Sequence, residues 1–337
     1  MSSFRTDDPR HYIADYDAAA DAFLAVAVDE ALLARAPFLD RRLEVDWERA
    51  LRVPAATVDA PAVAPPAFIF HTAFCCSTLL ARALDATPRV VALKEPLALM
   101  SLSAASLDAA FARERLDDRL RRALALLARP WSEGGRVLIK PTNLVNRLLP
   151  RTLEVAPGAR AVLLYSSLRE FLVSCCKKLP QAETRIRWMA NHLLPGSPLA
   201  HALGVDPLQP FNFVEACVLT WYAQMELFGI ALARDGGARL ATLDMDVLLA
   251  EPARTVAHAA RWLGLDASLD GLDARVAAEF SRHAKATDQP FDPAARAAEK
   301  ARVLARYGQL IDQAEAWAKQ VVAPAAQLPR QWHALAS

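Results

Sequence analysis

The chain has 337 residues, 54% of them hydrophobic, with 39 basic against 38 acidic side chains and a formal net charge of +1. That is ample for a packed core in one large domain or two, and the even balance excludes a globally basic surface, so no nucleic-acid partner is expected. The five cysteines include two vicinal pairs, Cys75-Cys76 and Cys175-Cys176, and nothing resembles a secreted disulfide framework.

The opening MSSFRTDDPRHYIADYD places acids where a targeting peptide is basic and apolar. No uninterrupted apolar run reaches the roughly 18 residues of a membrane span. A soluble, reduced, cytoplasmic protein without a membrane partner is therefore expected. Residues 13–36, rich in Ala and Leu, read as helix, which makes 1–52 an N-terminal helical segment. The Pro/Ala-rich stretch 53–66 reads as an extended connector.

Strands and helices alternate from there. The strands are 67–71 (AFIFH), 90–93 (VVAL), 136–140 (RVLIK), 160–165 (RAVLLY) and 239–244 (RLATLD). They are short and apolar nearly throughout, as strands covered on both faces of a parallel sheet are. Helical stretches fall at about 77–86, 105–128, 143–155, 168–178, 182–194, 211–234 and 252–263. The alternation predicts an α/β fold, a doubly wound, mostly parallel sheet of about five strands spanning 67–292. A last helix and tail, 293–337, are expected to pack on the same domain.

In such a sheet, function lies beyond the carboxyl ends of the strands. Those ends are His71–Ser77, Lys94–Glu95, Lys140–Asn143, Tyr165–Arg169 and Asp244–Asp246. Ser77 and Thr78 stand at a helix start, where exposed N–H groups favour an anion; capping by Ser77 is the plainer reading. The nucleotide pattern G-x-x-x-x-G-K-[ST] is absent from this loop, which argues against an ordinary ATP or GTP site. Glu95 suits a general base, or a surface ion pair. Lys140 suits charge neutralisation on a transferring group, or a snorkelling side chain at the sheet rim. Ser166 and Ser167 read as caps, whereas Ser174 has no evident structural reason. Cys75, Cys76, Cys175 and His71 are candidates for a thiol or zinc site, although neighbouring cysteines make poor paired ligands. Trp188, His192 and the flanking 181–210 either line an acceptor pocket or cover the core. Arg282, His283 and Lys285 share an expected loop at 280–292, either a phosphate site or a solvated basic patch.

Taken together, these segments resemble the sulfotransferases that use phosphoadenosine phosphosulfate (PAPS), over about residues 67–292. FIFHTAFCCSTLLARALDATPRVVALKEP is similar to the family's strand, phosphosulfate loop, helix and next strand. The likeness is greatest to bacterial members and to tyrosylprotein sulfotransferases, which place a catalytic Glu where Glu95 stands. VLIKPTNLVNRLLPRTLEVAPGARAVLLYSSLREFLVS resembles the segment that carries the catalytic Lys, matched by Lys140, and the 3′-phosphate motif, matched by Ser174. ARLATLDMDVLLAEPARTVAHAARWLGL resembles the late strand, its acidic turn and the following helix.

The resemblance implies a P-loop-type sulfotransferase-like fold and PAPS as donor, with no metal. It also implies a small-molecule or peptide acceptor, with Glu95 and Lys140 catalytic. The donor would lie on Thr72, Ala73, Phe74, Cys75, Cys76, Ser77, Thr78, Ser166, Ser174, Arg282 and Lys285. The chain departs from the pattern at two places. The family's loop has Lys or Arg at Phe74 and Gly at Cys76, and its 3′-phosphate motif has Arg, then Asp or Asn, then Pro at Ser166, Ser167 and Leu168. Replacement cations are sought in Arg169, Lys177, Arg282 and Lys285. A non-catalytic binding or regulatory relative, or a different phosphorylated donor, is the alternative reading.

Overall fold

The N-terminal segment builds a sheet where a helix was expected. The computed structural model describes residues 3–205, 211–283, 286–290, 293–329 and 332–335. Within it, β1 (His11–Asp17), β2 (Ala22–Ala27) and, after the short helix α1 (Glu30–Arg35), β3 (Leu51–Pro54) pair antiparallel in the order β1-β2-β3. Alanine content favours helix here, but the aspartates reverse the chain. Asp17 Oδ1 accepts the backbone N–H groups of Ala19 (3.1 Å) and Ala20 (3.0 Å), an Asx-type turn. Asp21 then takes a left-handed φ of +49°. The reversal lets Tyr12, Ile13, Tyr16 and Phe23 bury in the main core, and burial overrides a weak propensity.

Residues 58–66 run without regular structure into β4 (Ala67–His71), which leads to α2 (Ser77–Leu84) and β5 (Val90–Lys94). Next come α3 (Leu97–Ala105), α4 (Arg113–Leu127), β6 (Arg136–Lys140), a 3₁₀ turn at Asn143–Leu148 and α5 (Leu149–Val155). The helix expected at 105–128 is α4 alone and starts only at Arg113, after a turn in which Asp108 Oδ1 accepts the Ala110 N–H (2.8 Å); α3 before it was not expected. β7 (Arg160–Tyr165) is followed by α6 (Leu168–Cys176), α7 (Gln181–Leu193), α8 (Pro198–Leu203) and α9 (Phe213–Asp235). β8 (Leu240–Asp244), α10 (Met245–Ala250), α11 (Pro252–Leu263) and α12 (Leu272–Phe280) complete the alternation. The expected loop at 280–292 is an antiparallel ribbon, β9 (Arg282–His283) with β10 (Ala286–Pro290), ahead of α13 (Pro293–Trp317).

Strands β4 to β8 form one sheet in the order β5-β6-β4-β7-β8, parallel throughout, as the α/β reading requires. Alternate residues serve opposite cores. Phe68, Phe70, Leu93 and Ile139 pack with α3, α4 and α9, whereas Ile69, Ala92, Leu138 and Leu164 pack with α2 and α11. Both faces being covered explains why these strands carry no polar alternation.

α9 is, among the described residues, the helix long and apolar enough to cross a membrane, yet 78% of its most apolar window is buried inside the fold. A reciprocal cap starts it: Asn212 Oδ1 accepts the Glu215 N–H (2.9 Å), and Glu215 Oε2 accepts the Asn212 N–H (3.1 Å). The tail returns to the sheet. The Thr242 N–H donates to His333 O (2.7 Å) and the Leu335 N–H to Thr242 O (2.8 Å), which covers the free edge of β8. The chain order reverses about β4, so its carboxyl end is where a ligand crevice belongs.

Candidate functional site

Two of the five strand ends serve structure. Asp244 at the end of β8 caps α10 by accepting the Asp246 N–H (2.7 Å). The Tyr165 ring at the end of β7 lies 6.0 Å from the ring of Trp332 in the tail. The ends of β4, β5 and β6 come together.

The loop after β4 is wound against the preference of its residues. Ala73 (φ +65°), Phe74 (φ +52°) and Cys76 (φ +61°) are all left-handed without being glycine, at about 1–2 kcal/mol each. His71 holds the winding. Its Nδ1 accepts the Ala73 N–H (3.0 Å), and its Nε2 lies 3.0 Å from Pro141 O. A carbonyl only accepts, so Nε2 carries the ring proton and Nδ1 the lone pair. One imidazole therefore ties the loop to the end of β6. Asn146 Nδ2 donates to His71 O (3.0 Å), and the Thr72 N–H to Leu164 O (3.1 Å). Left-handed steps of this kind turn backbone N–H groups into an anion-binding concavity. α2 starts at its rim with Cys76 as N-cap and no side-chain acceptor for the first-turn N–H groups. Thr72, Ala73, Cys75, Ser77 and Thr78 are buried there, while Phe74 and Cys76 reach solvent in part.

Glu95 and Lys140 meet beside this loop. Lys140 Nζ donates to Glu95 Oε1 at 2.5 Å, with the lysine side chain 1% exposed and the glutamate 15%. The Glu95 N–H donates to Lys140 O (2.6 Å) while Glu95 holds a left-handed φ of +59°, so backbone and side chains lock the two strand ends together. An ammonium so deeply buried needs its partners. Besides the carboxylate it has the Phe38 ring, 5.7 Å from Nζ to the centroid. Phe38 belongs to a strap from the N-terminal segment, pinned where the Leu39 N–H donates to Lys94 O (2.7 Å) and the Leu97 N–H to Leu39 O (3.1 Å). The Arg42 guanidinium lies 4.3 Å over the same ring. Its bond to Asp40 raises its pKa, and the nearby charge of Glu95 adds to the rise. Lys94, expected beside Glu95, is structural. Its Nζ donates to Leu33 O (2.9 Å) and Ala34 O (3.3 Å), and burial lowers its pKa.

The side expected to hold a 3′-phosphate is mixed. Ser166 is fully buried, its carbonyl accepting from Trp221 Nε1 (2.9 Å), and its hydroxyl has no hydrogen-bond partner among the described residues. Ser167 caps α6 by accepting the Glu170 N–H (3.3 Å). Ser174 is half-buried on α6. Arg169 is tied to Asp312 and Glu315, and Lys177 to Glu299, all on α13. Two of the sought replacement cations are thereby spent on packing a helix. Arg282 lies in β9, but its side chain, like Lys285, falls outside the described residues.

The thiols do not converge. Cys75 packs under α2, whereas Cys175, Cys176 and Cys217 pack behind α6 in another cluster. Burial pushes Cys75 up to about 12 and Cys176 up to about 11, so neither is a thiolate near neutrality. Among the described residues no group of three His, Cys, Asp or Glu is placed to hold a metal. His192 is internal: it donates from Nε2 to Ser103 Oγ (2.9 Å), whose proton goes to Leu144 O. Trp188 is exposed. Phe38 and Arg42, which contribute here, carried no motif. They come from segments outside the strand ends, and only tertiary structure brings them in.

No family model and no curated protein matches the chain. Among solved structures it is similar to a sulfotransferase from Alicyclobacillus acidocaldarius, at 14% identity and TM-score 0.38 over 74% of this chain and 96% of that one. It is also similar to the sulfotransferase domain from the curacin biosynthetic pathway, at 13% identity and TM-score 0.40 over 73% of this chain and 99% of that one.

Proposed function

We propose that the chain transfers a sulfuryl group from PAPS to a hydroxyl or amine acceptor. The observation that carries this reading is the Lys140–Glu95 pair, 2.5 Å apart, beside a left-handed loop at the carboxyl edge of a parallel sheet. A cation and a carboxylate joined by one hydrogen bond, next to an anion-binding concavity, are the parts that sulfuryl transfer needs.

The N–H groups of Phe74–Cys76 and the first turn of α2, with Ser77 and Thr78, hold the 5′-phosphosulfate, while the Thr72 and Ala73 N–H groups stay bonded within the fold. Lys140 neutralises charge on the transferring group. Glu95 removes the acceptor proton as the acceptor oxygen or nitrogen bonds to sulfur. The bond from sulfur to the 5′-phosphate oxygen breaks in line, and adenosine 3′,5′-bisphosphate departs without a covalent enzyme intermediate. Ser174 is assigned to the 3′-phosphate; Arg282 and Lys285, which the family resemblance also assigns there, have side chains outside the described residues.

The test is transfer from radiolabelled PAPS to a panel of phenols, alcohols and amines. Glu95→Gln is expected to slow transfer about 10²- to 10⁴-fold while leaving affinity for the bisphosphate unchanged. Lys140→Ala is expected to weaken both. Equal rates in wild type and Glu95→Gln would refute the assignment of the base. Bisphosphate binding without transfer to any acceptor would favour a non-catalytic binding protein.

A further inference from the structure

The loop lacks a basic residue at Phe74, yet a cation stands over it. Lys178 lies in the turn just beyond α6, where its backbone N–H donates to Cys175 O (3.1 Å). Its Nζ donates to Ser174 O (3.3 Å) and lies 3.9 Å from the centroid of the Phe74 ring. Phe74 in turn packs on Phe171 of α6, with ring centroids 5.6 Å apart. The helix after β7 thus grips the loop twice, through one aromatic contact and one cation on a ring face. Its other basic residues are directed elsewhere, Arg169 and Lys177 being bound to carboxylates of α13.

We propose that Lys178 is the cationic handle of the phosphosulfate loop, supplied in space by α6 instead of in sequence by the loop. This rests on the donor reading above. Phe74 is the rest on which the ammonium lies. When the 5′ end of the donor enters the concavity, the ammonium exchanges the ring face for a phosphate or sulfate oxygen, a stronger partner for a charge. The bond from Nζ to the Ser174 carbonyl places Lys178 beside the residue assigned to the 3′-phosphate, so α6 and the turn beyond it read the two ends of the nucleotide.

Calorimetric titration of the whole chain with adenosine 3′,5′-bisphosphate and with adenosine 3′-monophosphate separates the possibilities. Lys178→Ala is expected to weaken the bisphosphate about 10- to 150-fold and to leave the monophosphate, which has no 5′ group, unchanged. Lys178→Arg should stay close to wild type. Adding Phe74→Lys to Lys178→Ala should recover most of the loss, because it returns the charge to the loop itself. Lys178 is exposed, so its variants should melt with wild type. Wild-type protein that binds the bisphosphate, with Lys178→Ala binding equally well, overturns the role of Lys178 and leaves the donor reading standing. Equal losses for both nucleotides overturn it as well. Wild-type protein that binds neither overturns both readings.

Discussion

Lys140→Met removes the ammonium bonded to Glu95, at an expected cost on the order of 2 kcal/mol. That is below the roughly 3–5 kcal/mol of a fully enclosed pair, because Glu95 keeps some access to water. Glu95→Gln keeps an acceptor for the ammonium and should cost less. The double variant should cost less than the sum of the two singles, since each removes the same interaction; urea unfolding of the four proteins measures this. His192 makes a separate prediction. Burial holds it at about 4, against about 6.5 in the unfolded chain. Its folded pKa is depressed, so the unfolded chain takes the proton first. The contribution is full above pH 6.5 and is lost as pH falls towards 4, by up to about 3 kcal/mol. Urea midpoints of His192→Gln should therefore fall less steeply than wild type across that window. Parallel curves would contradict the assignment.

At the scale of elements, the helix ends show where local chemistry governs. Gly264 closes α11 at φ +67° with open space around the position of a Cβ. Gly264→Ala should therefore cost about 1 kcal/mol from backbone conformation alone, with Asn tolerated better; thermal unfolding reads the difference. The Leu-Gly ending was legible in the sequence, as were all five strands of the parallel sheet, because burial on both faces writes an apolar run that little else produces. The segment 13–36 was not. Its Ala and Leu content matches a helix, and the Asp17 turn that makes it a hairpin becomes visible only with Asp21 and the buried face of Tyr12, Ile13 and Tyr16. α3 was not legible either: it starts directly after Pro96 at the strand end and is apolar on all sides, with Ala98, Leu99 and Leu102 buried in the core, so it carries no amphipathic period. Lys178 and Phe38 could not be read at all, since each matters through an aromatic or cationic partner distant in the chain.

At the scale of the molecule, three parts converge on one edge of the sheet. β4, β5 and β6 deliver the loop, Glu95 and Lys140; the N-terminal segment lays Phe38 and Arg42 over them; α6 leans in from the other side. The N-terminal sheet thus does more than extend the core. Arg119 binds Asp21 at its hairpin, and the buried Arg129 donates to the carbonyls of Asp8 (2.7 Å) and His11 (2.7 Å). These contacts anchor the N-terminal sheet, whose chain carries on into the strap that places Phe38 and Arg42 over Lys140. Phe38→Ala should accordingly lower transfer without abolishing bisphosphate binding, which kinetics and calorimetry on one preparation would separate. The central claim is that the donor's 5′ end lies in the Thr72–Cys76 loop within reach of Lys140. A crystal structure of the chain soaked with adenosine 3′,5′-bisphosphate tests it most directly. The account predicts the 5′-phosphate on the N–H groups of that loop, within hydrogen-bond distance of Lys140 Nζ. A nucleotide bound instead in the cavity of about 430 Å³ lined by Arg82, Arg89 and Arg275, or no nucleotide at millimolar ligand, would contradict it.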